Sequence, residues 1–268
     1  MDIVSRICDD LRILRANRPL IHSITNFVVM NETANAILCL GALPVMAHAR
    51  EEVEEMVSMA GALVLNIGTL EPDWVDAMES AGRQANDKGV PVILDPVGAG
   101  ATRLRTESSK RLLDNLKISI VRGNAAEISA IIGIASEIRG VESIGTSEVA
   151  ESVAERFTST FGCTVAITGA VDVVSDGRRT AKISNGHPML GKVVGTGCMS
   201  DVIIASFAAV EPDPFVAAIG GLVAFGIAGE LAAEVAQEKP GTFHMELYNS
   251  LYALDPDTIR ARARIHCS

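Results

Sequence analysis

Aromatic residues are scarce in this chain of 268 residues, since Phe, Trp and Tyr together make up only 4%. Positive charge is also in deficit: 23 Lys and Arg stand against 33 Asp and Glu, which gives a net charge of −10. Such a chain repels a phosphate backbone and offers few rings on which bases could stack. The composition therefore argues against nucleic-acid binding as the main role.

Cysteine is also rare, and no C-x-x-C pair occurs. The cysteines are Cys8, Cys39, Cys163, Cys198 and Cys267. Their odd number and wide spacing argue against a disulfide framework or a cysteine zinc site and favour a reducing compartment. Residues 1–19 are charged throughout, with no apolar core of signal-peptide length. The most apolar stretch, Pro214 to Gly229, is shorter than the ~20 residues of a membrane-spanning helix and is interpreted as a buried helix. We therefore expect a cytoplasmic protein with no membrane partner.

No low-complexity tract, long linker or internal repeat interrupts the sequence, so we predict a single domain over residues 1–268. Short apolar runs alternate with segments of helical period, such as Asp73–Lys88 and Ser147–Phe161. The predicted strands are Leu20–Ser23, Leu43–Met46, Ala62–Ile67, Pro91–Leu94, Ile118–Val121, Thr164–Ile167, Val171–Ser175 and Ala181–Ser184. This alternation predicts an α/β fold of three layers, with a mostly parallel central sheet and helices on both faces.

The pattern changes in the last third of the chain. Two predicted strands lie close together on either side of Asp176-Gly177, which indicates a hairpin. After Gly195 only helical patterns remain. The mean hydropathy of +0.29 is high for a soluble chain and indicates that another subunit covers some apolar surface.

The most prominent local motif is the glycine loop Gly195-Thr196-Gly197, which leads into an apolar segment of helical period. Such a loop exposes backbone N–H groups at a helix start, where the helix dipole adds partial positive charge, so the motif suits an anion. A tight loop that only packs a helix against the sheet explains the pattern equally well. Cys198 falls in the first helical turn, where the pKa of a thiol can be lowered. A lone Cys is more often an inert small hydrophobe.

Polar side chains also follow several predicted strands, where ligands bind in open α/β sheets. Asp95 opens a Gly-rich turn and suits a metal ion, a hydroxyl or a simple cap. Glu127 comes three residues after Asn124, a spacing that also fits a capping box. Arg122 suits either phosphate or a surface ion pair, and Thr168 either a nucleotide contact or an ordinary turn. Two carboxylates, a guanidinium and a helix start together form the set that phosphoryl transfer requires.

Six ordered segments resemble the hydroxyethylthiazole kinase family, which belongs to the ribokinase-like superfamily. They are PLIHSITNFVVMNETANAILCLGALPVMA (19–47), LVLNIGTL (63–70), VILDPVGAGAT (92–102), VRGNAAEI (121–128), GTGCM (195–199) and KPGTFHMELYNSLY (239–252). The resemblance implies a ribokinase-like fold and transfer of the ATP γ-phosphate to the alcohol of 4-methyl-5-(2-hydroxyethyl)thiazole, a salvage step towards thiamine. It also implies a homotrimer with the active site at the subunit interface.

The resemblance further implies binding roles for individual residues. The expected thiazole-binding residues are Met46, Gly195, Asn26, Gly68 and Thr69. Arg122 and Thr168 match ATP-binding positions. Asp95 and Glu127 match acidic positions that serve the cofactor Mg²⁺, directly or through water.

The expected catalytic residues are Cys198 and the glycine loop Gly195, Thr196 and Gly197. Cys198 stands where most ribokinase-like enzymes carry an Asp as base. Ser200-Asp201 departs from the family, whose members usually continue apolar, and we do not expect Asp201 to replace the base. Two alternatives remain open. One is a kinase of another small alcohol, such as a hydroxymethylpyrimidine or pyridoxal, and the other is a non-catalytic nucleotide- or thiazole-binding protein on the same scaffold.

Overall fold

A computed structural model describes residues 2–134 and 147–267, and within them nine strands form one sheet. In chain order the strands are β1 (Leu20–Ile24), β2 (Leu43–Val45), β3 (Ala62–Asn66), β4 (Val92–Asp95), β5 (Ile120–Asn124), β6 (Thr164–Thr168), β7 (Asp172–Ser175), β8 (Thr180–Ile183) and β9 (Ile265–Cys267). Their order across the sheet is β2-β1-β3-β4-β5-β6-β7-β8-β9. Strands β1 to β6 are parallel, whereas β7, β8 and β9 each run antiparallel to the preceding neighbour.

Helices cover both faces of this sheet. The α-helices in the described residues are α1 (Ile3–Asn17), α2 (Met30–Leu40), α3 (Val53–Val57), α4 (Pro72–Lys88), α5 (Arg103–Asn115), α6 (Ala125–Ile131), α7 (Ser147–Phe161), α8 (Thr196–Ala208), α9 (Pro214–Ala236), α10 (Pro240–Ala253) and α11 (Pro256–Arg262). Because successive strand residues point to opposite faces, Ile93 of β4 joins one core with α8 and α9. Its neighbours Val92 and Leu94 join the second core, against α4 and α7. The prediction of a mostly parallel sheet between two helical layers is confirmed.

Local sequence signals define the ends of α4. Pro72 occupies its first turn, where the missing N–H costs nothing. Gly89 closes it in the left-handed region with φ of 72°, and its N–H bonds to the carbonyl groups of Ala85 and Asn86. The helix therefore starts one residue before the predicted Asp73 and ends at the predicted Lys88.

Helix α9 is longer than the sequence suggested. It contains 23 residues and is long and apolar enough to cross a membrane, but 89% of its apolar window is buried within the protein. The expectation of a stretch too short to span a membrane is therefore wrong, whereas its interpretation as a buried helix is confirmed. Glu230 does not end the helix because it lies at the rim, where it pairs with Arg264 and accepts from the N–H of Gly186.

Two expectations for the last third of the chain have different outcomes. The hairpin at Asp176-Gly177 is confirmed, since β7 and β8 pair antiparallel on either side of it. The expectation of only helices after Gly195 is wrong, because Ile265–Cys267 forms β9 along β8. The segment Ile265–Cys267 is not a continuous run of apolar residues, so only its pairing with β8 defines it as a strand.

Candidate active site

Polar side chains from neighbouring strands meet at one edge of the sheet. Asn66, Asp95 and Thr168 are the last residues of β3, β4 and β6, and Arg122 lies near the end of β5. Parallel strands bring their carboxyl ends to the same edge, so residues far apart in sequence become neighbours there. Helix α8 begins at this edge too, since Gly197 packs directly against Arg122.

Asn66 is the hydrogen-bonding centre of this edge. Its Nδ2 donates to Oδ2 of Asp95 at 2.6 Å, and its Oδ1 accepts from Nδ2 of Asn26 at 2.8 Å and from the N–H of Gly68 at 3.0 Å. Asn66 thereby fixes one expected metal ligand and two expected thiazole neighbours. Sequence reasoning missed it, although a polar residue that ends the apolar run LVLN was an available signal.

The glycine loop turns sharply just before α8 begins. Gly195 has φ of 87° and precedes α8, and a Cβ at this position would lie 2.7 Å from Cγ1 of Val29. The first intrahelical bond runs from the N–H of Met199 to the carbonyl of Gly195, which leaves the preceding N–H groups for a ligand. The Thr196 hydroxyl instead donates to the carbonyl of Leu190 at 2.7 Å. Thr196 therefore offers an anion its backbone and not its side chain.

A cavity of about 540 Å³, here called the Arg122 cavity, opens beside this helix start. One end is lined by Arg122, Thr168 and Gly197, and Nη2 of Arg122 donates to Oγ1 of Thr168 at 2.8 Å. Leu222 and Phe225 of α9 line the apolar end. The volume falls in the range of small-molecule sites, and the polarity fits a ligand with an anionic group at one end and an apolar ring at the other.

A buried acidic cluster lies behind Arg122. One ligand atom each of Asp95, Cys198 and Asp201 lie within 4.8 Å of one another. Burial, followed by the charge of Asp95, raises the pKa of Asp201 well above its usual value. Nε of Arg122 lies 3.6 Å from Oδ1 of Asp201, so one guanidinium offsets part of the acidic charge. The glycine loop and Asp95 are thus joined and not walled off from each other.

The pKa of the Cys198 thiol is shifted in the direction opposite to the one considered for a helix start. Burial, together with the charges of Asp95 and Asp201, raises its pKa above the ordinary value. The lowering considered for a helix start is therefore wrong here, because burial and two carboxylates outweigh the helix dipole and Arg122. Nδ2 of Asn26 lies 3.8 Å from the sulfur. Cys198 is a neutral thiol at neutral pH.

Glu127 forms the capping box that its spacing allowed. Its N–H donates to Oδ1 of Asn124 at 2.9 Å, and its Oε2 accepts from the N–H of Asn124 at 2.9 Å. Its Oε1 accepts from the N–H of Gly98 at 2.8 Å. Burial raises the pKa of Glu127 despite these bonds. The capping role is confirmed, and the role towards a metal ion stays a prediction.

Three of the expected thiazole neighbours come together. Asn26 is buried beside Cys198, and a Cβ on Gly68 would lie 2.8 Å from the Cβ of Asn26. Oγ1 of Thr69 accepts from the N–H of Phe27 at 3.1 Å. Met46 follows β2, one strand further out, and packs partly buried against the core. The structure thus groups Asn26, Gly68 and Thr69 near Cys198 and places Met46 to one side.

The fold defines a class: an α/β protein with the ribokinase-like fold. The fold alone is shared with the pyridoxal kinase of Staphylococcus aureus in complex with pyridoxal, which is 15% identical with a TM-score of 0.65, over 93% of this chain and 97% of that one.

The sequence model of the hydroxyethylthiazole kinase family matches residues 11–257. Hydroxyethylthiazole kinase of Roseiflexus castenholzii is 53% identical over 266 residues, which cover 99% of this chain and 98% of the relative. The same-named protein of Thermoanaerobacter pseudethanolicus is 51% identical, over 95% of this chain and 97% of its own. The solved structure of a hydroxyethylthiazole kinase protein from Pyrococcus horikoshii has a TM-score of 0.91 at 48% identity and covers 98% of this chain and 99% of that one. The chain belongs to the hydroxyethylthiazole kinase family.

Proposed function

We propose that this site transfers the γ-phosphoryl group of ATP to the hydroxyl of 4-methyl-5-(2-hydroxyethyl)thiazole by in-line attack. The reaction is that of the family to which the chain belongs. The observation that supports its placement is the close approach of Gly197 to Arg122: a Cβ on Gly197 would lie 2.9 Å from Nη1. The amides of a helix start and a guanidinium therefore reach the same small volume.

The chain's own groups would bind and stabilise the polyphosphate. Arg122 and Thr168 hold phosphate oxygens at the polar end of the Arg122 cavity. The adenine ring lies at the apolar end, against Leu222 and Phe225. The backbone N–H groups of residues 196–198 stabilise charge on the moving phosphoryl group, because fixed dipoles in a site shielded from water need no reorganisation.

Mg²⁺ fits the charge of this site. Asp95 and Asp201 are buried with Glu127 near them, and Arg122 offsets only part of their charge. Carboxylate oxygens are the donors that Mg²⁺ prefers. Asp95 would bind the ion directly and Glu127 through water, because both Glu127 oxygens already accept backbone N–H groups. When bound, Mg²⁺ neutralises charge on the transferred phosphate.

Cys198 would lie next to the attacking alcohol. Since burial keeps its thiol protonated, Cys198 contributes little as a base and acts by orienting the alcohol. A loose transition state requires little of a base, because bond breaking precedes much of the bond making. The alcohol oxygen bonds to the γ-phosphorus as the bond to ADP breaks, and the alcohol proton passes late in the reaction to an oxygen of the transferred phosphoryl group.

The thiazole would bind between subunits of a homotrimer. Phe27, Val28 and Val194 flank Asn26 and Gly195 and are 60%, 61% and 72% exposed in the single chain. Three large exposed apolar residues beside one site suit coverage by a second subunit. The trimer would be cytoplasmic, with each chain a single kinase domain over residues 1–268. A solution mass three times 28.2 kDa would support this assembly.

A coupled assay of ADP release tests the activity. We expect ATP consumption with Mg²⁺ to depend on added hydroxyethylthiazole and to exceed the rates with hydroxymethylpyrimidine and with pyridoxal. Faster turnover of either competitor would assign the enzyme to that alcohol. Tight thiazole binding without thiazole-dependent ATP consumption would make the chain a binding protein and refute the kinase proposal.

A further inference from the structure

Asp201 is a buried carboxyl group to which the proposed mechanism assigns no contact with the substrate, ATP or Mg²⁺. It lies one turn inside α8, its exposed fraction is 0%, and among the described residues neither of its oxygens has a hydrogen-bond partner. Nε of Arg122 also lacks a partner within that part of the chain and lies 3.6 Å from Oδ1 of Asp201. A buried, unpaired carboxyl group is costly, so its position beside a buried guanidinium requires a reason.

We propose that Asp201 is a positioning residue that holds Arg122 from behind, so that the guanidinium presents its Nη groups to the Arg122 cavity. Three neighbours surround the guanidinium. Asp201 lies at Nε, Oγ1 of Thr168 accepts from Nη2 at 2.8 Å, and Gly197 lies against Nη1. These contacts fix the plane of the guanidinium, and a planar fork binds phosphate well only in the correct plane. The inference rests on the proposed function, since it assigns phosphate to that fork.

The other acids of the site explain why this support is needed. Asp95 and Glu127 also attract Arg122 electrostatically. Without the carboxyl group of Asp201, the guanidinium would turn towards Asp95. It would then leave the phosphate and occupy the carboxylate that we assign to Mg²⁺. Asp201 thus keeps the cationic side chain and the metal ligand apart.

Two substitutions separate this role from simple packing. Asp201→Leu keeps the branch at Cγ but removes both oxygens, and Asp201→Asn keeps one acceptor oxygen. We expect Asp201→Leu to raise the KM for ATP about tenfold while the KM for the thiazole stays within about twofold, and Asp201→Asn to recover most of the loss. Ser206→Ala is the matched control: Ser206 is buried in the same helix, bonds only to the carbonyl of Val202 in the described structure, and should change neither KM.

A double-mutant cycle with Arg122→Gln completes the test. If Asp201 acts through Arg122, Asp201→Leu has little further effect on the Kd of a non-hydrolysable ATP analogue once Arg122 is Gln. Full effects in both backgrounds, or equal changes in both KM values, would overturn the inference. Thermal unfolding checks that each variant is folded, and if Asp201→Leu does not fold, the same cycle run with Asp201→Ala, which also removes both oxygens, decides. Failure of the wild type to consume ATP with thiazole would refute the proposed function alone, because analogue binding still tests Asp201.

Discussion

Gly197→Ala should separate ligand binding from stability more cleanly than other changes in the glycine loop. Gly197 is the second residue of α8 and does not have a positive φ, so its backbone accepts Ala without strain. Alanine in a helix is favoured over glycine by up to ~1 kcal/mol. The added Cβ would, however, lie 2.9 Å from Nη1 and 3.2 Å from Nη2 of Arg122. Carbon and nitrogen need about 3.5 Å, so the guanidinium must move by roughly 0.5 Å.

The expected rise in the KM for ATP follows from the hydrogen bonds to phosphate that a displaced Arg122 would lose. Its Nη2 bonds to Thr168 and its Nε faces Asp201, so the displacement falls on the groups assigned to phosphate. A hydrogen bond to a charged partner is worth about 1.5–3 kcal/mol. Since about 1.4 kcal/mol corresponds to a factor of ten, we expect the KM for ATP to rise roughly 10- to 100-fold. The free energy of unfolding should stay the same or rise slightly.

Steady-state kinetics with varied ATP and saturating thiazole measure the first effect, and urea unfolding measures the second. Gly241→Ala is the matched control, because Gly241 is likewise the second residue of a helix, α10, a Cβ there meets nothing within 4 Å and Gly241 has no positive φ. The control should leave the KM for ATP unchanged. A folded Gly197→Ala variant with normal ATP kinetics would show that Arg122 does not hold phosphate in this orientation.

Three further predictions concern the acids and the thiol. Cys198→Ala should lower kcat but leave measurable activity. Because burial raises the pKa of Cys198, the pH–rate profile of the wild type should show no limb from thiol ionisation near pH 8.5. A limb at that pH that Cys198→Ala abolishes would contradict the neutral thiol. Asp95→Asn should raise the Mg²⁺ concentration needed for half-maximal rate, whereas Glu127→Gln should weaken Mg²⁺ dependence less. Glu127→Gln should also lower the free energy of unfolding by about 1 kcal/mol, because its amide has one acceptor oxygen for the backbone N–H groups of Gly98 and Asn124. Mg²⁺ titration and urea unfolding of both variants test this, and the reverse ranking would exchange their roles. Burial and Glu211 raise the pKa of Asp10 to about 7. The folded chain therefore keeps a proton that the unfolded chain loses from about pH 4 upwards, and the free energy of unfolding falls as the pH rises to about 7. The stability gained by Asp10→Asn should be larger at pH 8 than at pH 4, and an equal gain would refute the shift.

The main features of the fold could be predicted because the inner strands of the parallel sheet are largely buried on both faces. Runs such as Ala62–Asn66 have every residue buried, so they appear in the sequence as continuous apolar segments. The ends of elements were less predictable. The strand expected at Pro91–Leu94 is Val92–Asp95, since hydrogen bonds to β3 and not apolar character set its limits. Strand β9 was missed for the same reason, because it is defined by its pairing with β8, whose residues lie more than 80 positions earlier in the sequence.

The sequence predicted that several polar side chains meet at one edge of the sheet, but it did not predict their contacts or their pKa values. Position after a strand identified Asp95, Arg122 and Thr168, because the carboxyl ends of parallel strands share an edge. The pKa of Cys198 could not be predicted from its place at a helix start. The dipole favours ionisation, but Asp95 and Asp201 lie within 4.8 Å and oppose it together with burial. Asp201 was set aside as a base, and its contact with Arg122 could not be foreseen from the sequence.

The contact between Gly197 and Arg122 explains why the spacing of the glycine loop alone could not decide between an anion site and a tight turn. The spacing of Gly195 and Gly197 permits either, and α8 would pack against β3 and β4 in both cases. The difference lies in Arg122, which reaches the loop from β5 and leaves no room for a side chain at Gly197. In a loop that only packed a helix, the space beside Gly197 would be filled by an apolar side chain. Here a guanidinium fills it and lines a cavity, so Gly197 is required by its contact with Arg122 and not by the turn.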